Sequence, residues 1–216
     1  MAANAEARET VTQTSMAVIR TRIAAKIADA ALSTAAELSE GLSQPAPTGR
    51  AAVAIVLREV KAGPEILLIR RAERPGDPWS GHMAFPGGRE APSDGGLLAT
   101  AVRETREELA LDLQTAGSLL GSLQQLPAVA RGRATGMVIA PFVFELTREV
   151  SLTYKLDEVS EALWAPLHPL MHGSLRSTIA YELAGQSMTL PAHDVEGRKV
   201  WGLTYRMLED LFTLLR

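Results

Sequence analysis

The sequence predicts an α/β fold built on a mixed β-sheet, and three observations carry that expectation. Isoleucines recur every fourth residue near the N-terminus, at Ile19, Ile23 and Ile27, which is helical spacing. Two strand-like runs, Ala51–Val60 and Glu65–Arg70, flank the turn Lys61-Ala62-Gly63-Pro64. A breaker-rich stretch from Ala72 to Gly96 then ends abruptly at Leu97–Leu109, a run of strong helix formers without glycine or proline. Helices and strands interleave, but without the regular alternation of an all-parallel sheet.

In chain order, Met1 to about Gln13 reads as a polar start. A helix follows from about Met16 to Leu42. Ala30 and Ala31 continue its isoleucine stripe, while Arg20, Arg22 and Lys26 mostly fall elsewhere. This stripe is expected to pack on the body of the protein or on a second subunit, so a homodimer is one expectation. Ser43–Gly49, with two prolines and a glycine, reads as a linker. Residues 1–48 are therefore a polar start, helix and linker, and residues 49–216 the main domain. Within it, further strands are expected at Ser118–Leu126, Val138–Leu146, Ala162–Ala165 and Lys199–Trp201. An amphipathic helix is expected at Thr204–Leu215. The turn-rich Ala72–Gly96 is too long for a plain connection and points to function.

Composition narrows the chemistry. With 46% hydrophobic residues among 216, a full core is available. A net charge of -3 argues against a general nucleic-acid binder. The absence of cysteine excludes disulfides, thiolate metal sites and cysteine nucleophiles. The longest purely apolar run, Ala51–Leu57, falls far short of the roughly 20 residues of a membrane helix. The first residues, with Glu6, Arg8 and Glu9, lack the basic start and apolar block of a secretory signal. A cytoplasmic location is the expectation, with neither membrane nor nucleic acid as a partner.

The segment Phe85–Leu111 carries the chemistry. On its helix Glu104 and Glu108 are four residues apart and share a face, which Glu107 borders. Crowded carboxylates repel unless cations compensate them. Arg103 and Arg106 supply part of that charge, and a hard divalent cation suits the oxygen ligands. Leu98, Val102, Thr105 and Leu109 form the expected core stripe, with the acidic face turned away from it. Pro86-Gly87-Gly88 precedes the helix. Two glycines after a rigid proline permit a backbone that presents a bare carbonyl to a metal or approaches a phosphate closely.

This segment resembles the Nudix box, G-x5-E-x7-R-E-U-x-E-E-x-G-U with U apolar. The match runs from Gly88 through Asp94 to Arg103-Glu104-Thr105-Arg106-Glu107-Glu108-Leu109-Ala110-Leu111. Asp94 stands at the middle acid, one residue farther from Arg103 than in the motif. Thr105 replaces an apolar residue, and Ala110 replaces the glycine. The coenzyme A diphosphatase branch of the family is similar in its F-P-G-G start and extended spacer. Its upstream signature is matched by Leu67, Leu68, Arg71, Ala72 and Gly81. Ile69 stands for its threonine, and Asp77 for its second arginine, with Arg74 nearby. Gly136–Pro141 and Trp201–Thr204 also resemble that branch.

The resemblance implies an α/β/α sandwich with a mixed β-sheet, carrying a loop-helix-loop box, in a hydrolase that uses Mg²⁺ or Mn²⁺. It implies that Glu104, Glu107 and Glu108 hold the metal with a backbone carbonyl of Gly87 or Gly88, and that Arg103 orients the glutamates. The proton acceptor is Glu104 or a downstream acid, Glu145, Glu158 or Glu161. Arg70 and Arg71, with Arg133 from a later loop, are candidates for gripping phosphate, for which a guanidinium is suited. His82 and Trp79 lie in the loop before the box, as a structural histidine and as a loop pin or base-stacking ring. The implied substrate is coenzyme A or acyl-coenzyme A, cut to 3′,5′-ADP and (acyl-)phosphopantetheine. ADP-ribose, a nucleotide sugar or another dinucleotide is the alternative. A catalytically silent Nudix fold used as a ligand-sensing module is a third reading.

Overall fold

The computed structural model describes residues 14–37, 48–130, 132–183 and 185–216, with residues 27–37 described by their backbone alone. The polar start, the expected helix end beyond Glu37, most of the linker and the side chain of Ile27 lie outside what it describes.

After helix α1 (Met16–Glu37), strand β1 (Gly49–Val60) turns back tightly into β2 (Gly63–Arg71), with Val60 opposite Gly63. Short strands β3 (Met83–Ala84) and β4 (Gly87–Arg89) precede α2 (Leu97–Leu109) and the single turn α3 (Leu113–Ala116). Then follow β5 (Gly117–Ser122), β6 (Leu126–Ala130), β7 (Arg133–Leu146), β8 (Val159–Pro166) and α4 (Leu167–Met171). These eight strands form one sheet, with the central path β3-β2-β1-β7-β5. β1 runs parallel to β7 from Gly49 to Leu57 and antiparallel to β2 and β4, so the sheet is mixed. The expected strand Ser118–Leu126 is in fact two, because the ladder to β7 slips between Leu119 and Gly121 and the chain leaves it before Leu126.

Both faces of the sheet are covered, which is why β1 and β2 read as near-continuous apolar runs. Ile55, Leu57, Ile66 and Leu68 join Ile19 and Ile23 of α1 in one buried cluster, with Leu208, Leu211, Phe212 and Leu215 of the last helix, α5 (Gly202–Leu215). Ala54, Val56, Leu67 and Ile69 join Ala101 and Leu109 of α2 on the other face. The layers are therefore helix, sheet, helix, as expected. On the first face α1 is also held by Arg20, which grips the buried Glu145 of β7 through Nε at 2.6 Å.

A second sheet of three antiparallel strands, β9 (Arg176–Leu183), β10 (Gln186–Val195) and β11 (Arg198–Trp201), follows the main one. Only its last strand was expected. Its first hairpin shows a two-residue alternation: along β9, Ser177, Ile179, Tyr181 and Leu183 are the less exposed positions.

Candidate active site

β4 lies antiparallel on β1, with Gly87 opposite Val53 and Gly88 opposite Ala52, and α2 crosses above it. Each glycine answers a different steric demand. Gly87 has φ +153°, and a Cβ there would stand 2.2 Å from the Ala52 carbonyl oxygen. A Cβ on Gly88 would stand 2.5–2.7 Å from the carboxylate atoms of Glu104. One glycine lets two backbones meet; the other lets a carboxylate lie against the backbone.

α2 is rotated relative to the expected stripe. Its buried residues are Thr100, Ala101, Thr105, Glu108 and Leu109, while Leu98 is exposed and Val102 half-buried. Thr105 enters the core by donating its hydroxyl to the Ala101 carbonyl at 2.7 Å. The acidic face is consequently not turned away from the core. Glu108 is only 4% exposed and accepts the Gly87 N–H at 2.9 Å. Burial pushes its carboxyl up to about 8, with the Gly87 N–H opposing and the Glu104 charge adding. Burial also raises Glu104, against the pull of Arg103. Glu107 stands apart, with its side chain 48% exposed and 3.2 Å from Arg103 Nη1.

Arg103 is the hub that holds this face. It binds Asp94 with two parallel bonds, Nε to Oδ1 at 2.8 Å and Nη2 to Oδ2 at 2.9 Å, a geometry only a guanidinium offers. It also reaches Glu104 at 2.8 Å and the Arg89 carbonyl at 3.1 Å. Asp94 further accepts from the Ala91 N–H and the Thr100 hydroxyl, and Arg103 holds its carboxyl well below the usual range. The extra residue in the spacer is thus accommodated in a loop closed around Asp94.

The two candidate phosphate arginines part company. Arg71 lines the cleft beside Glu108; its Nη2 binds Asp77 at 2.7 Å and its buried Nε has no hydrogen-bond partner among the described residues. Arg70, the other candidate for gripping phosphate, instead donates to the Gly81 carbonyl at 3.4 Å and faces Glu73, and is not among the residues lining the cleft. Arg133 is exposed and also off it. Trp79 and His82 do line the cleft. The Trp79 N–H is held by Asp77 at 2.9 Å, and the His82 ring packs 4.6 Å from Trp201, where burial lowers its pKa. Of the downstream acids, Glu158 lines the cleft with Glu104 and Glu108, and is bound by Lys155 at 2.9 Å. Glu145 is engaged by Arg20 and Glu161 by Arg198, both outside the cleft.

The cleft encloses about 700 Å³, within the roughly 300–1,000 Å³ of small-molecule sites. Arg89 and Arg206 also line it, although sequence patterning did not single them out. Among the described residues no three acidic or histidine side chains already converge at metal-ligating spacing. The donor set nonetheless fits a hard divalent cation. Glu104 and Glu108 offer only oxygen and lie over bare glycine backbone, and the Glu104 charge raises Glu108 while Glu107 and Glu158 raise Glu104, a repulsion that a cation would relieve.

A family model described as the NUDIX domain matches residues 47–183, well over half of the chain. An uncharacterized protein of Schizosaccharomyces pombe is 33% identical over 58% of this chain, which spans only 44% of that relative's length. The uncharacterized Nudix hydrolase NudL of Yersinia pestis is 27% identical, over 76% of this chain and 79% of its own. Among solved structures, a MutT/nudix family protein from Enterococcus faecalis superposes with TM-score 0.50 at 17% identity, covering 93% of this chain and 73% of that one. That last likeness concerns the fold alone.

Proposed function

The chain belongs to the NUDIX domain family, whose hydrolases act on diphosphate bonds, and from that premise we propose a metal-dependent hydrolase of nucleoside diphosphate derivatives. The substrate in this reading is coenzyme A or acyl-coenzyme A, cut to 3′,5′-ADP and (acyl-)phosphopantetheine. The observation that carries the reading is the pair Glu104 and Glu108, packed over the backbone of Gly87 and Gly88 in a cleft of ligand size.

In this reading Glu104 and Glu108, with a backbone carbonyl of Gly87 or Gly88, would hold Mg²⁺ or Mn²⁺, with Glu107 as a third carboxylate. A divalent ion bound there would offset the charge of the diphosphate and ease the ionisation of water. The chain's own groups do the rest. Arg103 and Asp94 hold the carboxylates in place, as supporting hydrogen bonds do around metal sites. The free Nε–H of Arg71 grips a phosphate oxygen. Glu158 accepts the proton of the attacking water while the bridging P–O bond breaks and the leaving phosphate keeps its electron pair.

A second reading has its own support. Asp77 already occupies Nη2 of Arg71, which reduces the cationic charge left for a substrate with a further phosphate. That favours ADP-ribose or a nucleotide sugar. The test is cleavage of coenzyme A, acetyl-coenzyme A, ADP-ribose, NADH and a nucleotide sugar with Mg²⁺ or Mn²⁺, by native protein and Glu108→Gln. Metal-dependent release of 3′,5′-ADP from coenzyme A, lost in the variant, is the expected result. Cleavage of ADP-ribose alone would move the assignment to the second reading. Nucleotide binding without turnover of any compound would instead indicate a silent sensing module.

A further inference from the structure

The cleft has a second end that diphosphate chemistry leaves unused. The β9–β10 hairpin sets Met188 opposite Tyr181, and strand alternation puts Tyr181, Leu183, Met188 and Leu190 on one face. That face looks onto Val129 of β6 and Met137 of β7 across the same cavity that holds Glu104 and Glu108. Gly132, just before β7, lies against Leu183 at the end of β9, where a Cβ on the glycine would stand 2.7 Å from Leu183 Cδ2. The result is a bay with an apolar wall on each side. Val129 remains 43% exposed and Met188 39%, large apolar side chains that water reaches. Ring contacts from His82 through Trp201 to Tyr181, 4.6 and 5.1 Å, tie this wall to the loop before the box.

We propose that this bay binds a hydrophobic chain carried by the substrate beyond its diphosphate, so that chain-bearing diphosphate esters are cut in preference to those ending in a polar group. The proposal rests on the diphosphatase reading above. The occupant is part of the substrate and not a second copy of this chain, because the bay is continuous with the carboxylate end. A bay edged by two exposed apolar side chains is also far smaller than the roughly 800 Å² per partner of a stable interface. Two methionines in the wall suit a chain without fixed shape, since the unbranched thioether adapts to what it touches. Gly132 lies close against Leu183 at this end of the cavity.

The test compares coenzyme A with its acetyl, hexanoyl and decanoyl thioesters in Mg²⁺. Alongside it, calorimetry compares octyl phosphate with ethyl phosphate, a pair that contains no nucleotide. Native protein, Met188→Glu and Met188→Leu are used throughout. We expect kcat/KM to rise about tenfold or more from free thiol to the medium chains, as buried methylenes accumulate. Octyl phosphate should bind tighter than ethyl phosphate. Both ratios should collapse in Met188→Glu and persist in Met188→Leu. Cleavage of coenzyme A with no dependence on chain length, and equal binding of the two phosphates, would overturn the bay and leave the diphosphatase reading standing. No cleavage of any thioester, with octyl phosphate still preferred and the preference lost in Met188→Glu, would keep the bay and remove coenzyme A. Absence of both chain-length effects would overturn the bay whatever is hydrolysed.

Discussion

Two segments face each other across one cleft and reach it by different physics. The stretch from Phe85 to Leu109 places charged groups where burial penalises them and holds them with specific partners: Asp94 on Arg103, Gly87 on Glu108. The β9–β10 hairpin places Tyr181, Leu183, Met188 and Leu190 by strand alternation alone. In the first, identity matters atom by atom, because a buried charge without its partner is costly. In the second, apolar volume matters and similar residues can exchange. Substitutions of like size should therefore act very differently in the two places.

The largest effect belongs to Glu108. Glu108→Gln keeps the shape and an oxygen for Gly87 but removes the charge, and metal-dependent turnover should fall by about a thousandfold or more in steady-state assays. The same variant should change how stability depends on pH. The raised carboxyl of Glu108 favours its protonated form in the fold. In chelator its stabilising share is full below its unfolded pKa, near 4.5, and is lost as pH rises toward about 8. Thermal melts of native protein in EDTA should show that decline, and melts of Glu108→Gln should flatten it.

The glycines should separate next. Gly88→Ala pushes against the movable end of Glu104 and should cost turnover by roughly tenfold to a hundredfold with little change in Tm. Gly87→Ala meets fixed backbone and should cost stability outright, by about 2–3 kcal/mol in urea melts. Arg103→Lys keeps the charge but cannot form both bonds to Asp94, and a roughly tenfold loss of kcat is expected.

The smallest effect lies at the helix exit. Ala110 caps α2 in the left-handed region at φ 53°, where the related motif has glycine, and its N–H reaches the Arg106 carbonyl at 2.9 Å. Ala110→Gly should raise stability by about 0.5–1 kcal/mol in urea melts without altering turnover.

The same contrast explains what the sequence discloses. The β1–β2 hairpin, α2 and α5 are visible in it because turn residues and helix formers mark their ends. The Gly88 and Arg103–Glu108 spacing is visible because it requires particular residue types. The rotation of α2 is not visible: Thr105 is polar by type, and its bond to the Ala101 carbonyl lets it lie fully buried while Val102 is only half-buried against the core. Nor is the separation of Arg70 from Arg71, since adjacent strand residues point to opposite faces and only pairing decides which meets the cleft. Residues 176–195 carry an alternation at Ile179, Tyr181 and Leu183 that marks a strand, but their polar neighbours and short apolar content masked it.

In the diphosphatase reading, Glu104 and Glu108 hold the divalent ion that the reaction needs. Mn²⁺ binding can be followed directly by the loss of its free electron-paramagnetic signal, in native protein and in Glu104→Gln/Glu108→Gln. Saturable binding to the native protein, weakened at least about a hundredfold in the double variant while its far-ultraviolet circular dichroism stays native, is the predicted result. Equal Mn²⁺ affinity in both proteins would contradict it.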